Sequence, residues 1–231
     1  NYNPPSTFEE AINRNGPEYA EFYYDIINDL IEHPWRSMDE VIIEHLNRDV
    51  EDINEAGIKM TMPNMIFIDL YVRHYFRGEV VKTLVDSGLK VHCFGAGWDR
   101  LSCRHPENLI NGNVLDSLGC LQQISRSRIS LNVMPWFKDG AHDRVFNSML
   151  NGAVCVSDGS KYMDEILEDG KHYVKYDLSS LQELPGKIRE VLCDREKWEY
   201  IRKNGYETAA KKHTWADRAR FLHSEILCKI R

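Results

Sequence analysis

No apolar run in this chain approaches the ~18 residues that a membrane-spanning helix needs, and no basic-then-apolar leader opens it. Neither a membrane span nor a secretory signal is therefore expected. Cysteine is sparse. The six thiols, Cys93, Cys103, Cys120, Cys155, Cys193 and Cys228, form no CxxC pair and no other zinc spacing. They read as reduced thiols of a cytoplasmic protein, with Cys93 and Cys155 inside apolar strand-like runs. The nine histidines include no HxH or HExxH pair, which argues against a metal site. GxSxG and GxxxxGK[ST] are both missing, against a serine hydrolase and a P-loop nucleotidase. Positive charge is in the minority, 29 basic against 36 acidic residues for a net charge of -7. A global electrostatic footprint for nucleic acid or an anionic membrane is thereby excluded, though not a local basic pocket. Methionine does not open the chain; Asn1 does, so a processed or truncated product is expected.

What is present supports one sizeable core with an appendage, since 42% of the 231 residues are hydrophobic. The first third carries helical periodicity. Pro17 suits the first turn of a helix with the apolar stripe Phe22, Tyr23, Ile26, Ile27, Leu30 and Ile31, ending before Pro34. A second helix starts at the capping box Ser37-x-x-Glu40, carries Val41, Ile42, Leu46, Val50 and Ile53, and is expected to stop at Gly57. A third follows Pro63, is expected to break near Gly78, and reaches Gly88. From Leu89 the period changes to short apolar runs (89–94, 108–110, 129–134, 153–157, 172–176) between helical segments. That alternation marks a parallel α/β sheet. The expected organisation is a helical N-terminal extension over 1–88 and a single doubly wound parallel-sheet (Rossmann-like) domain over 89–231, closed by two C-terminal helices.

Such sheets bind ligands at the carboxyl ends of their strands, which directs attention to the loops that follow each one. Gly95-Ala96-Gly97-Trp98 follows the first strand; two glycines permit close backbone approach to a ligand, and the loop reads equally well as a plain turn. The stretch "KDGAHDRVFNSMLNGAVCVSDG" (138–159) carries more agreement. A loop with Asp139 and Gly140 leads to a helix near Arg144 whose N-terminal amides and arginine fork suit a phosphate. Asp143 is the natural N-cap and would compete for those amides, so ligand cradle and structural cap are evenly matched on this segment alone. His142 is a possible donor to a ligand, set against a merely solvated loop histidine. Ser157, Asp158, Gly159 and Ser160 form the next strand-end loop. The carboxylates Asp164, Glu165, Glu168 and Asp169 read as a solvated helix face.

The runs "SRISLNV", "HDRVFNSMLNGAVCVSDG", "EILEDGKHYVKYD" and "HTWADR" appear in an order that resembles the C-terminal, donor-binding domain of group 1 glycosyltransferases with the GT-B fold. The spore-maturation glycosyltransferase-like branch is the most similar. The resemblance covers residues 89 to the C-terminus. It implies transfer of a sugar from a nucleotide diphosphate-sugar donor to an unknown acceptor, with no further cofactor and no metal. Gly95, Gly97, Trp98, Asp139, Gly140, His142, Arg144, Asn147, Ser157, Asp158, Gly159 and Ser160 would bind that nucleotide-sugar, Arg144 meeting the diphosphate. Relatives carry two glutamates where this chain has Asp139 and Asn147, a departure that bears on donor choice and catalysis. The GT-B architecture also implies a second, N-terminal Rossmann-like domain as partner. Competing readings are a non-catalytic scaffold or docking module of the same fold, and a nucleotide-sugar epimerase, for which the sequence places no converging acid–base pair.

Overall fold

The computed structural model describes every residue except Asn15, Glu51, Trp136, Phe137 and Arg231. Helices build the N-terminal part: α1 (Glu9–Asn13), α2 (Pro17–Glu32), α3 (Met38–Asp49), α4 (Glu55–Thr61) and α5 (Ile66–Asp86). Ile26, Ile27 and Leu30 of α2 are buried, as their spacing requires. Ser37 caps α3 by accepting from the Glu40 amide, but α3 ends at Asp49 rather than continuing to Gly57. Val50 is extended, and Asn54 starts a separate helix by accepting from the Gly57 amide at 3.0 Å. A short side-chain acceptor thus reclaims amides that a continuing helix would have used. The break expected at Gly78 is also absent, and α5 passes through it unbroken. A Cβ there would lie 2.9 Å from the Tyr2 hydroxyl, so this glycine serves close packing.

The class is α/β, with parallel strands alternating with helices after the helical N-terminal part. β1 (Val91–Phe94) pairs in parallel with β2 (Leu109–Gly112). After α6 (Ser117–Ser125) come β3 (Ile129–Asn132), α7 (Asp143–Leu150), β4 (Val154–Asp158), α8 (Lys161–Ile166) and β5 (Val174–Tyr176). These strands form a second parallel sheet in the order β3-β4-β5. The chain closes with α9 (Leu184–Cys193), α10 (Arg195–Lys212) and α11 (Trp215–Ile230). Two compact units result: Asn1–Leu115 with Val133–Asp139 and Asp177–Pro185, and Asp116–Asn132 with Gly140–Tyr176 and Gly186–Arg231. Among the described residues no helix is long and apolar enough to cross a membrane.

In the second unit every residue of β4 is buried, the pattern of a central parallel strand covered on both faces. Helices α7 and α10 supply cover. Gly205 lets α10 close in, because a Cβ there would come 2.5 Å from the His172 carbonyl oxygen. This packing fixes the register Asn132↔Ser157 between β3 and β4, placing both side chains at the carboxyl edge of the sheet.

Candidate ligand site at the strand ends

Polar side chains inside an apolar sheet must find partners in one another, and those at the carboxyl edge do. Asn132 is fully buried. Its amide nitrogen donates to Ser157 Oγ at 2.9 Å, and Ser157 Oγ donates to the Asp158 carbonyl at 2.9 Å. The Asn132 Oδ1 accepts from Arg144 Nη1 at 2.9 Å. Tyr176, at the end of β5, donates its hydroxyl to the Asn132 carbonyl at 2.8 Å; burial, with the Asp158 carboxylate next, holds its hydroxyl protonated far above the ordinary range. Arg144 is thus gripped by a neutral amide, and no carboxylate lies within ion-pair distance of it among the described residues.

The cap of α7 differs from expectation. His142, not Asp143, is the N-cap, with its Nδ1 accepting from the Arg144 amide at 3.1 Å. Asp143 occupies the first helical position, where its charge complements the helix dipole, and its Oδ1 lies 2.6 Å from the same His142 nitrogen. The Val145 amide is taken by the His142 carbonyl, so two of the amides expected to be open are already engaged. Asn147 donates to Asp143 Oδ2 at 3.3 Å, one turn back on the half-exposed face. Ser160 caps α8 and donates to the Gly140 carbonyl at 2.6 Å, tying the two strand-end loops together. Gly159 lies against the stem of Lys175, 2.3 Å from a Cβ built on it.

The first unit holds Gly95, Gly97, Trp98 and Asp139. Gly95 and Gly97 have φ of +117° and +87°, and both meet the chain's own N-terminal residues. A Cβ on Gly97 would lie 2.0 Å from the Tyr2 carbonyl oxygen. Arg100 donates to that oxygen at 3.2 Å and to Asn3 Oδ1 at 2.7 Å. Asp139 is exposed. Eight of the twelve residues singled out from the sequence therefore share the second unit, and four share the first.

No single member of "HTWADR" stands out in the sequence as a functional residue. Thr214 and Asp217 form a reciprocal cap at the start of α11, the Thr214 amide donating to Asp217 Oδ2 at 3.0 Å and the Asp217 amide to Thr214 Oγ1 at 3.3 Å. The Thr214 contacts and Arg220 hold the Asp217 carboxyl down at about 2. His213 stacks on Phe146 of α7 at 4.5 Å, and its Nδ1 accepts from Arg218 Nη2 at 3.2 Å. Burial and then Arg218 depress its pKa, so Nε2 carries the proton, with no acceptor. Asn132, the hinge of the whole edge, lies inside the apolar run 129–134; a polar side chain within an apolar run was the available signal.

Residues 73–224, more than half of the chain, match the model of a family described as glycosyl transferase-like. No curated protein matches the chain significantly.

Proposed function

We propose, because the chain belongs to the glycosyl transferase-like family, that it is the donor-binding portion of a glycosyltransferase using a nucleotide diphosphate-sugar. The GT-B architecture and the group 1, spore-maturation-like branch are the finer form of this reading, as are a cytoplasmic setting and a partner domain that brings the acceptor. One observation carries it: Arg144, at the carboxyl ends of β3 and β4, is oriented by the neutral amide of Asn132. A cation positioned without being neutralised is suited to an anion that arrives later.

The bond between the anomeric carbon and the diphosphate breaks, and its electron pair stays on the departing phosphate oxygen. The acceptor's nucleophilic atom bonds to that carbon and gives its proton to a base brought with the acceptor. Arg144 lowers the barrier by stabilising the charge that grows on the diphosphate. Asn132 and, through it, Ser157 hold the guanidinium in place before the donor arrives.

Calorimetric titration of the chain against a panel of nucleotide diphosphates tests this, and silence from all of them would sink it. Arg144→Ala should weaken binding by about 1–3 kcal/mol; unchanged affinity would assign the arginine a purely structural role. A non-catalytic scaffold is the second reading, favoured by Asn147 bonding back to Asp143 in a place where relatives carry a carboxylate. Donor hydrolysis without acceptor would count against it.

A further inference from the structure

The chain has a net charge of -7, yet positive charge gathers at the amino edge of the second sheet, where β3 and β4 begin. Arg126 and Arg128, in the segment that joins α6 to β3, line a cleft of about 400 Å³ together with Trp198 and Arg202 of α10. All four belong to the second unit. Among the described residues Glu199 is the one carboxylate in the lining, so two of the three guanidinium charges are uncompensated there.

Local hydrogen bonding does not consume these arginines. The last carbonyls of α6 are already satisfied: Ser125 Oγ donates to the Gln122 carbonyl at 2.9 Å, Ser127 Oγ to the Gln123 carbonyl at 2.8 Å, and the Ser127 amide to the Ile124 carbonyl at 3.0 Å. Arg126 is therefore not required to satisfy that helix end. Among the described residues neither Arg126 nor Arg128 forms an ion pair, whereas Glu199 holds Arg202, Nε to Oε2 at 3.0 Å. Trp198 fixes the frame. Its indole N–H donates at 2.9 Å to the Arg128 carbonyl, which also accepts from the Val154 amide at 3.0 Å. The guanidinium groups of Arg128 and Arg202 lie 5.2 and 5.5 Å from its ring centroid, within cation–π range. Two like charges drawn to one ring repel each other, a cost that a bound anion offsets.

We propose that this cleft binds a phosphate group carried by a small solute, at a site separate from the one around Arg144. Arginine forks grip phosphate oxygens in pairs, and two uncompensated guanidinium groups match the charge of a phosphate monoester. The volume is that of a small-molecule site. Arg128 stands four residues before Asn132 along the extended chain, about 13 Å away, so the two sites occupy opposite edges of one sheet. The cleft goes beyond the transferase reading and does not rest on it, because it shares no residue with the Arg144 edge.

The probe is pyrophosphate, titrated calorimetrically into the Arg144→Ala chain, which lacks the donor-site arginine, at low ionic strength because salt screens exposed charges. One site should remain. Adding Arg126→Gln and Arg128→Gln should weaken it at least about tenfold. Glu199→Gln should instead tighten binding about threefold, a gain that misfolding cannot produce and that stands even if the arginine variant fails to fold. No binding to Arg144→Ala, or equal affinity in all three chains, would overturn the site and leave intact the transferase reading, which nucleotide diphosphates test through Arg144. Sedimentation with phosphatidic acid vesicles without any response to pyrophosphate would also overturn it, assigning the charge to a membrane surface.

Discussion

Acid should loosen the docking of residues 1–3 through one histidine. His74 is buried on α5, and its Nδ1 accepts from the Asn3 amide at 3.0 Å. The rings of Phe8 and Tyr2 lie beside it at 5.6 and 6.2 Å. That bond requires a lone pair on Nδ1, hence a neutral ring. Burial, reinforced by the nearby Arg77 charge, pushes its pKa down to about 4 from the ordinary 6.5. Between those two values the unfolded chain holds the proton and the folded chain does not, so stability rises with pH across the window. It is fully present above about pH 6.5 and falls as the pH drops toward about 4, by up to ~3 kcal/mol. If releasing residues 1–3 costs less than that, the segment leaves first and the loss is smaller. Urea unfolding across this window should show a larger loss in the wild-type chain than in His74→Gln, which keeps an acceptor but takes up no proton. His172 and His213, also depressed by burial, titrate in both chains and cancel in the comparison. An NMR titration should find the His74 midpoint near 4. Identical pH dependence in the two chains would refute the reasoning.

Two further outcomes follow from the second unit. Asn132→Ala removes a charge-assisted bond to Arg144 and a neutral one to Ser157, and should cost about 2–4 kcal/mol in urea unfolding; a change below about 1 kcal/mol would mean that the edge re-forms without it. Gly205→Ala should destabilise by about 1–3 kcal/mol, because its Cβ meets a backbone oxygen, whereas helix propensity alone predicts a gain of about 1 kcal/mol. A raised Tm in that variant would show that α10 can move away from His172.

Periodicity carried most of the secondary structure. Helical segments fall between the strands and two helices close the chain as expected, and the five strand positions are all occupied, because apolar patterning is a local property that packing here reinforces. The errors have local causes. Gly57 and Gly78 read as helix ends on propensity, yet Asn54 recaptured amides around the first and Tyr2 needed the space at the second. Asp143 was the better cap by residue type, but His142 occupies the extended position just before the helix, and only that position caps.

The sequence by itself determined the class, the order of strands and helices, and the presence of Arg144 at a helix start after a strand. These depend on patterns within a few residues. The tertiary structure alone decided what each polar group does. Asn132 and Ser157 meet because β3 and β4 pair in one register, across 25 residues of chain. Tyr2 reaches Trp98 because glycines at 78 and 97 leave it room. Neither partnership has a local signature, since each is set by where distant segments pack.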